Sequence, residues 1–260
     1  MSIEYKYELS RGGVWFGSLK GSSSRHGNEL HPYHEIIFFL GASGKILCEQ
    51  FEAGLTDNSL FVIPANTYHR VIIEDEGEYK RLLIHFRDIE GLTDTPLFGS
   101  GVPRYIKHLP EDVLFLLKKI TDNLAFTDKP RANLIYGAFM MLLSEIEPLE
   151  GSHSSKRSDA DSELLKKCID HIDKNPRADL SASSIARAVG ISESSLYYLF
   201  KRNLGISLHK YITEKRISYA HSKIREGALP TKIYRECGYN DYASFYKAYR
   251  KLLGRSPSEK

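Results

Sequence analysis

The chain is short of cysteine: it has three, Cys48, Cys168 and Cys237, far apart and without a CxxC pair. That argues against a disulfide frame or a zinc ribbon and fits reduced core thiols. Long apolar runs are also lacking. Stretches such as Ile36–Leu40 fall far below the roughly 20 residues of a membrane helix. The opening Met1-Ser-Ile-Glu-Tyr-Lys-Tyr7 has no apolar segment of the kind a secretory signal needs. A soluble, cytoplasmic protein with no membrane partner is therefore expected. No phosphate-cradling glycine loop and no nucleophile–base pattern stands out, so no catalytic residue, metal or cofactor is assigned.

Net charge is scarce too, at +3 over 260 residues, but it is unevenly spread. Residues 161–260 hold 19 Lys and Arg against 11 Asp and Glu, a net of +8; the first 160 hold 17 against 22, a net of −5. Concentrated cations on one half suit a polyanionic partner, because phosphate neutralisation rewards clustered Lys and Arg. Gly151 to Ser162 is small, polar and without apolar periodicity, which reads as a linker between the two halves.

Before the linker, short β-rich runs alternate with turn residues: Val14–Leu19, Ile36–Leu40, Lys45–Phe51, Ser59–Ile63, Tyr68–Glu74 and Tyr79–Phe86. Strands at this spacing predict a small antiparallel barrel or sandwich. Two helices follow, over 111–126 and 131–147, each with a proline near its start. Val113, Leu116, Leu117, Ile120 and Leu124 form an apolar stripe on the first, suited either to the β-structure or to another subunit. After the linker every segment is helical: about 163–174, 182–189, 193–204, 207–226, 231–237 and 241–253, with Gly190, Gly205, Gly227, Gly238 and Gly254 as stops. The fold class is α+β multidomain, with expected domains 1–100, 101–150 and 163–260 and a linker at 151–162.

The helical part repeats itself at a period of about 48 residues. Ile185-Ala-Arg-Ala-Val-Gly190 matches Ile233-Tyr-Arg-Glu-Cys-Gly238, and Leu196 to Lys201 matches Phe245 to Arg250 after one extra residue. Each copy has the parts of a helix-turn-helix: an amphipathic helix, a glycine able to turn left-handed, an apolar residue (Ile191 or Tyr239), then a capping residue (Ser192; Asn240 or Asp241). Leu196, Leu199 and Phe200, and likewise Phe245, Ala248 and Tyr249, face inward by their spacing. The free face of the first copy then carries Ser194, Ser195, Tyr197, Tyr198, Lys201 and Arg202. That of the second carries Tyr242, Ala243, Tyr246, Lys247, Arg250 and Lys251. Hydroxyls, aromatic edges and Lys247 suit base edges, whereas Lys201, Arg202, Lys215, Arg216, Arg250 and Lys251 suit phosphates. The long helix over 207–226 would join the two readers rigidly. Because their faces differ in charge, two unlike half-sites are expected, bound in one direction.

Residues 163–260 resemble the DNA-binding domain of the AraC/XylS family of bacterial regulators. The likeness is carried by Gly238-Tyr-Asn-Asp-Tyr-Ala-Ser-Phe-Tyr-Lys-Ala-Tyr-Arg-Lys-Leu-Leu-Gly-Arg-Ser-Pro257, with Arg216 at a position where the family has arginine. Cys237, Ala243 and the Tyr197–Tyr198 pair depart from its commoner residues. Glu29 to Gly41 and Leu60 to His69 are similar to the cupin sensor domain of such regulators. The resemblance implies a cupin-like β-barrel that binds a small-molecule effector, often a sugar or other metabolite, a helical dimerisation segment, and partners in double-stranded DNA, a second subunit and RNA polymerase. It places Trp15, His31, Glu35, Phe38, His69 and His85 on the effector pocket wall. In cupins a metal is held by two histidines and a glutamate of the first motif and one histidine of the second. His31, Glu35 and His69 match three of these, while Glu29 stands where the first histidine would be; hydrogen-bonded residues at a barrel mouth read equally well. A transcription regulator, activator or repressor, is the expectation. A cupin metalloenzyme with an appended helical domain, or a protein-interaction module, is the alternative.

Overall fold

The computed structural model describes residues 2–9, 14–22, 29–41, 43–49, 52–74, 78–87, 89, 93, 95–99, 102–125, 129–151, 160–174 and 180–259. The chain divides into two compact units, Met1–Lys156 and Arg157–Lys260.

The first unit runs β1 (Ser2–Leu9), β2 (Val14–Ser22), β3 (His34–Gly41), β4 (Gly44–Cys48), β5 (Glu52–Gly54), β6 (Ser59–Ile63), β7 (His69–Ile73), β8 (Glu78–Phe86), a short helix α1 (Pro96–Gly99), β9 (Arg104–Ile106), α2 (Glu111–Asn123) and α3 (Lys129–Ile146). The strands form a six-stranded sheet in the order β1-β2-β8-β3-β6-β9 and a three-stranded sheet in the order β5-β4-β7. The ladders are antiparallel.

The expected barrel is not closed; the described strands make two separate sheets. Ile36 to Phe39 of β3 and Leu60 to Ile63 of β6 are buried throughout, which requires cover on both faces of the large sheet. Ile37, Phe39, Phe61 and Ile63 meet Ile46, Cys48 and Val71 of the small sheet. Ile36, Phe38, Leu60 and Val62 meet Leu117, Phe139 and Leu142 of α2 and α3. The apolar stripe of α2 thus packs inside its own unit, and Phe115 and Met141 are what the two helices expose. Two further expectations are corrected. Strands β1 and β9 were not foreseen, and the run Lys45–Phe51 is no single strand, because β4 ends at Cys48, Glu49 bends, and residues 50–51 lie outside the described set.

The second unit is helical: α4 (Ala160–Lys174), α5 (Ala182–Val189), α6 (Glu193–Leu204), α7 (Leu208–Arg225), α8 (Pro230–Glu236) and α9 (Tyr242–Leu253). Of the expected linker, residues 152–159 lie outside the described set, and 160–162 are already helical in α4. Helix α7 shares a core with the second helix pair, built from Ile217, Ala220, Ile233, Cys237, Phe245 and Tyr249. Burying each such large apolar side chain stabilises the unit by about 1.5–3 kcal/mol. No helix among the described residues is long and apolar enough to cross a membrane.

Candidate functional site

In the second unit, two helix pairs are built by the same local chemistry. In the first, Ser181 caps α5 by accepting from the Ser184 amide, and Gly190 ends it with φ 76°. The Ile191 amide donates back to the Ala186 carbonyl at 3.0 Å. Ser192 then caps α6, accepting from the Ser195 amide at 3.0 Å. In the second pair Gly238 has φ 75°, and the Tyr239 amide donates to the Tyr234 carbonyl at 3.1 Å. Gly238, Tyr239 and Tyr234 each lie 48 positions after their counterparts, so the repeat seen in the sequence is a repeat of backbone geometry. Asp241, not Asn240, caps α9, accepting from the Ser244 amide at 2.7 Å and its hydroxyl at 2.9 Å.

Leu196, Leu199 and Phe200 are buried on α6, as are Phe245 and Tyr249 on α9, while Ala248 is half-buried. Ser194, Ser195, Tyr197, Tyr198, Lys201 and Arg202 are exposed together on α6. Arg202 is engaged there: it pairs with Asp161 of α4 at 2.8 Å and lies over the Tyr198 ring. On α9, Ala243, Lys247, Arg250 and Lys251 are exposed and Tyr246 is half-exposed. Tyr242, expected on the free face, is half-buried against Tyr234 and Phe245, because α8 covers the flank of α9 at that phase. Lys215 and Arg216 stand apart from both faces. Lys215 pairs with Asp173 at 3.1 Å and is 12% exposed. The Arg216 guanidinium lies under the second turn, where a Cβ on Gly238 would come within 2.5 Å of its Nη2.

In the first unit, pairing of β2 with β8 and of β8 with β3 sets Trp15 opposite His85 and His85 opposite Glu35. Glu35 is 2% exposed and takes three imidazoles: His85 Nε2 at 2.7 Å on Oε1, His69 Nε2 at 2.9 Å and His31 Nε2 at 3.2 Å on Oε2. Burial alone would raise the Glu35 carboxyl, but these contacts hold it well below the usual carboxylate range. Burial pushes His31 down despite Glu35. For His69 burial also acts downward, yet contact with the Glu35 carboxylate wins and raises it.

Trp15 stacks on His85 at 4.7 Å between ring centroids. Five of the six expected pocket residues therefore gather at one place. Phe38 does not: strand alternation turns it, with Ile36, to the opposite face of the sheet, into the core under α2 and α3. Two neighbours were missed as wall residues. Tyr33 stacks on His31 at 3.9 Å, and burial raises its hydroxyl. Glu29 forms an isolated bridge with His69, their amides and carbonyls exchanging bonds of 2.9 and 3.0 Å. Glu29, His31, Glu35 and His69 are the described residues that could hold a metal, their ligand atoms lying within 4.8 Å of one another.

The helix-turn-helix domain family matches residues 185–260. The probable transcriptional regulator LumQ of Photobacterium leiognathi is 30% identical over 230 residues, covering 88% of this chain and 89% of that one. The lactose operon transcription activator of Staphylococcus xylosus is 34% identical over 106 residues, 40% of this chain and 38% of that one. The solved structure of ToxT from Vibrio cholerae aligns over 94% of this chain and 96% of that one, at 12% identity and a TM-score of 0.41.

Proposed function

The chain belongs to the AraC/XylS family of transcription regulators, and from that premise we propose that α5–α6 and α8–α9 are two helix-turn-helix readers on one DNA duplex, held by α7. The supporting observation is the repeated cap-and-turn geometry, which leaves one polar helix face free in each pair. Tyr197, Tyr198, Tyr246 and Lys247 then meet base edges; Ser194, Ser195, Tyr242 and Ala243 border them; Lys201, Arg202, Arg250 and Lys251 hold phosphates. Arg202 must exchange Asp161 for a phosphate. Lys215 and Arg216 position the readers.

The first unit is the cupin-like effector-binding part, with Trp15, His31, Glu35, His69 and His85 facing a sugar or other small metabolite. Residues 101–150 supply the subunit contact of a homodimer, through the outer surface of α2 and α3 because the inner stripe is covered. The regulator works in the cytoplasm as an activator contacting RNA polymerase, in keeping with the name of the Staphylococcus xylosus relative. Its role is regulatory, not catalytic, as its relatives' names suggest. By linkage, an effector that changes DNA affinity must have its own affinity changed by the same factor.

Footprinting of the purified chain on selected duplexes tests this reading. Each protomer should protect two successive major grooves about 10 bp apart, with affinity falling steeply as salt rises. Protection of one groove per protomer overturns the two-reader arrangement.

A further inference from the structure

One cation on the two reading faces is already held by a carboxylate. Arg202 Nη1 donates to Asp161 Oδ2 at 2.8 Å, and the same guanidinium lies 5.8 Å from the centroid of the Tyr198 ring. Among the described residues, Lys201, Lys247, Arg250 and Lys251 enter no such ion pair. The contact therefore sets the first reader apart from the second.

Asp161 belongs to neither helix pair. It is the second residue of α4, which is fixed by the buried Leu165, Cys168, Ile169 and Ile172 and packs on α5 and α6. Packing of those later turns brings the first turn of α4 beside the C-terminal end of α6. The backbone amides of that first turn have no partner within the helix, so it is the part of α4 that opens most readily.

A carboxylate and a phosphodiester present a guanidinium with the same kind of anionic oxygen, and Arg202 bonded to one is withheld from the other. We infer that Asp161 holds the place of a DNA phosphate on the first reader, an autoinhibitory contact that duplex binding must break. The inference rests on the reading of α6 as a DNA-contacting helix. The contact is weak enough to yield. It runs through Oδ2, and the side chains of Arg202 and Asp161 are 55% and 35% exposed, so water and salt screen it. A duplex offers many phosphates and displaces one carboxylate, with the loss in affinity falling on the first reader alone. Opening the first turn of α4, which directly follows the segment joining the two units, frees Arg202 without altering α6.

The test titrates the full chain into a duplex selected by the wild type, between about 50 and 200 mM salt. Asp161→Asn should bind about two- to fivefold tighter at the low end, with the gain shrinking as salt rises. The extra protection in a footprint should fall on the groove of α6 and not on that of α9. Glu163→Gln removes the same charge from an exposed neighbour in the same turn and measures the general effect of charge; its gain should be less than half as large. In an Arg202→Gln background, which itself binds more weakly, Asp161→Asn should gain no more than Glu163→Gln does. Unchanged or weaker binding by Asp161→Asn with wild-type helicity overturns the contact, as does a gain that Glu163→Gln equals or that persists without Arg202. Loss of salt-sensitive duplex binding in every protein, wild type included, overturns the DNA reading itself; binding without coupling between Asp161 and Arg202 overturns the autoinhibition alone.

Discussion

The two helix pairs of the second unit share a backbone and differ in what lies beneath their turns. Nothing stands within 4 Å of the place a Cβ would take on Gly190, whereas on Gly238 it would collide with the Arg216 guanidinium. Only the φ of 76° bears on glycine in the first turn; in the second, a Cβ would also require the Arg216 guanidinium to shift. Ile191 follows the first glycine directly before the cap, while Tyr239 and Asn240 intervene in the second. The Tyr239 hydroxyl is buried without a partner and is pushed up to about 12. The difference shows that one motif can be anchored in two ways. The second pair rests on α7 through Arg216 and an aromatic cluster, whereas the first packs on α4 and, through Phe200 against Tyr211, on the start of α7.

Removing the core of either pair should have the largest effect. Phe200→Ala and Phe245→Ala each empty a fully buried site and should cost about 3–5 kcal/mol, read by urea denaturation; a much smaller loss for Phe245→Ala would mean that α7 does not share its core. Next, Gly190→Ala should cost the left-handed penalty of about 1–2 kcal/mol. Gly238→Ala should cost more, and Arg216→Ala in that background should recover part of the excess. Equal costs for the two glycines break the contrast drawn here.

At the DNA level, Lys247→Ala should lower affinity for the preferred site by about 1–3 kcal/mol and relax specificity. Arg250→Ala should weaken all sequences alike and reduce the salt slope by about one. Ser192→Ala should cost about 1 kcal/mol through the lost cap. The smallest effect separates the caps by pH. The amide and hydroxyl of Ser244 hold the Asp241 carboxyl below its usual 3.8. Its stabilisation is therefore present above 3.8 and lost as pH falls through the lower folded value. Helicity of the second pair should loosen in acid in the parent but show no such acid step in Asp241→Asn, while the Ser192 cap is indifferent to pH.

Legibility in the sequence followed the same division between local and distant causes. Helices α5 and α6 match the expected 182–189 and 193–204, because the serine caps, the glycine stops and the apolar spacing all act within a few residues. What failed was set by partners far along the chain. Phe38 has the composition of a pocket wall, yet the face it occupies depends on which side Glu35 takes and on the distant helices α2 and α3. Tyr242 falls at an exposed helical phase and is covered by Tyr234 from the preceding helix. That the strands make two sheets, with α2 and α3 covering one face of the larger, is announced by no strand pattern. Of the pocket, the histidines and Glu35 were placed by the resemblance to the cupin motifs, whereas Tyr33 and Glu29 enter its wall through the turn before β3 and the Glu29 bridge to β7.

That bridge makes the pocket observable through the backbone. The Glu29 and His69 amides are tied to each other's carbonyls, so both exchange with heavy water only when the pre-β3 segment lifts from β7. A ligand that needs both side chains binds the closed form alone and slows this exchange by a factor of about 1 + [L]/Kd. Two amide protons in the first unit thus report occupancy without a label, a chromophore or DNA.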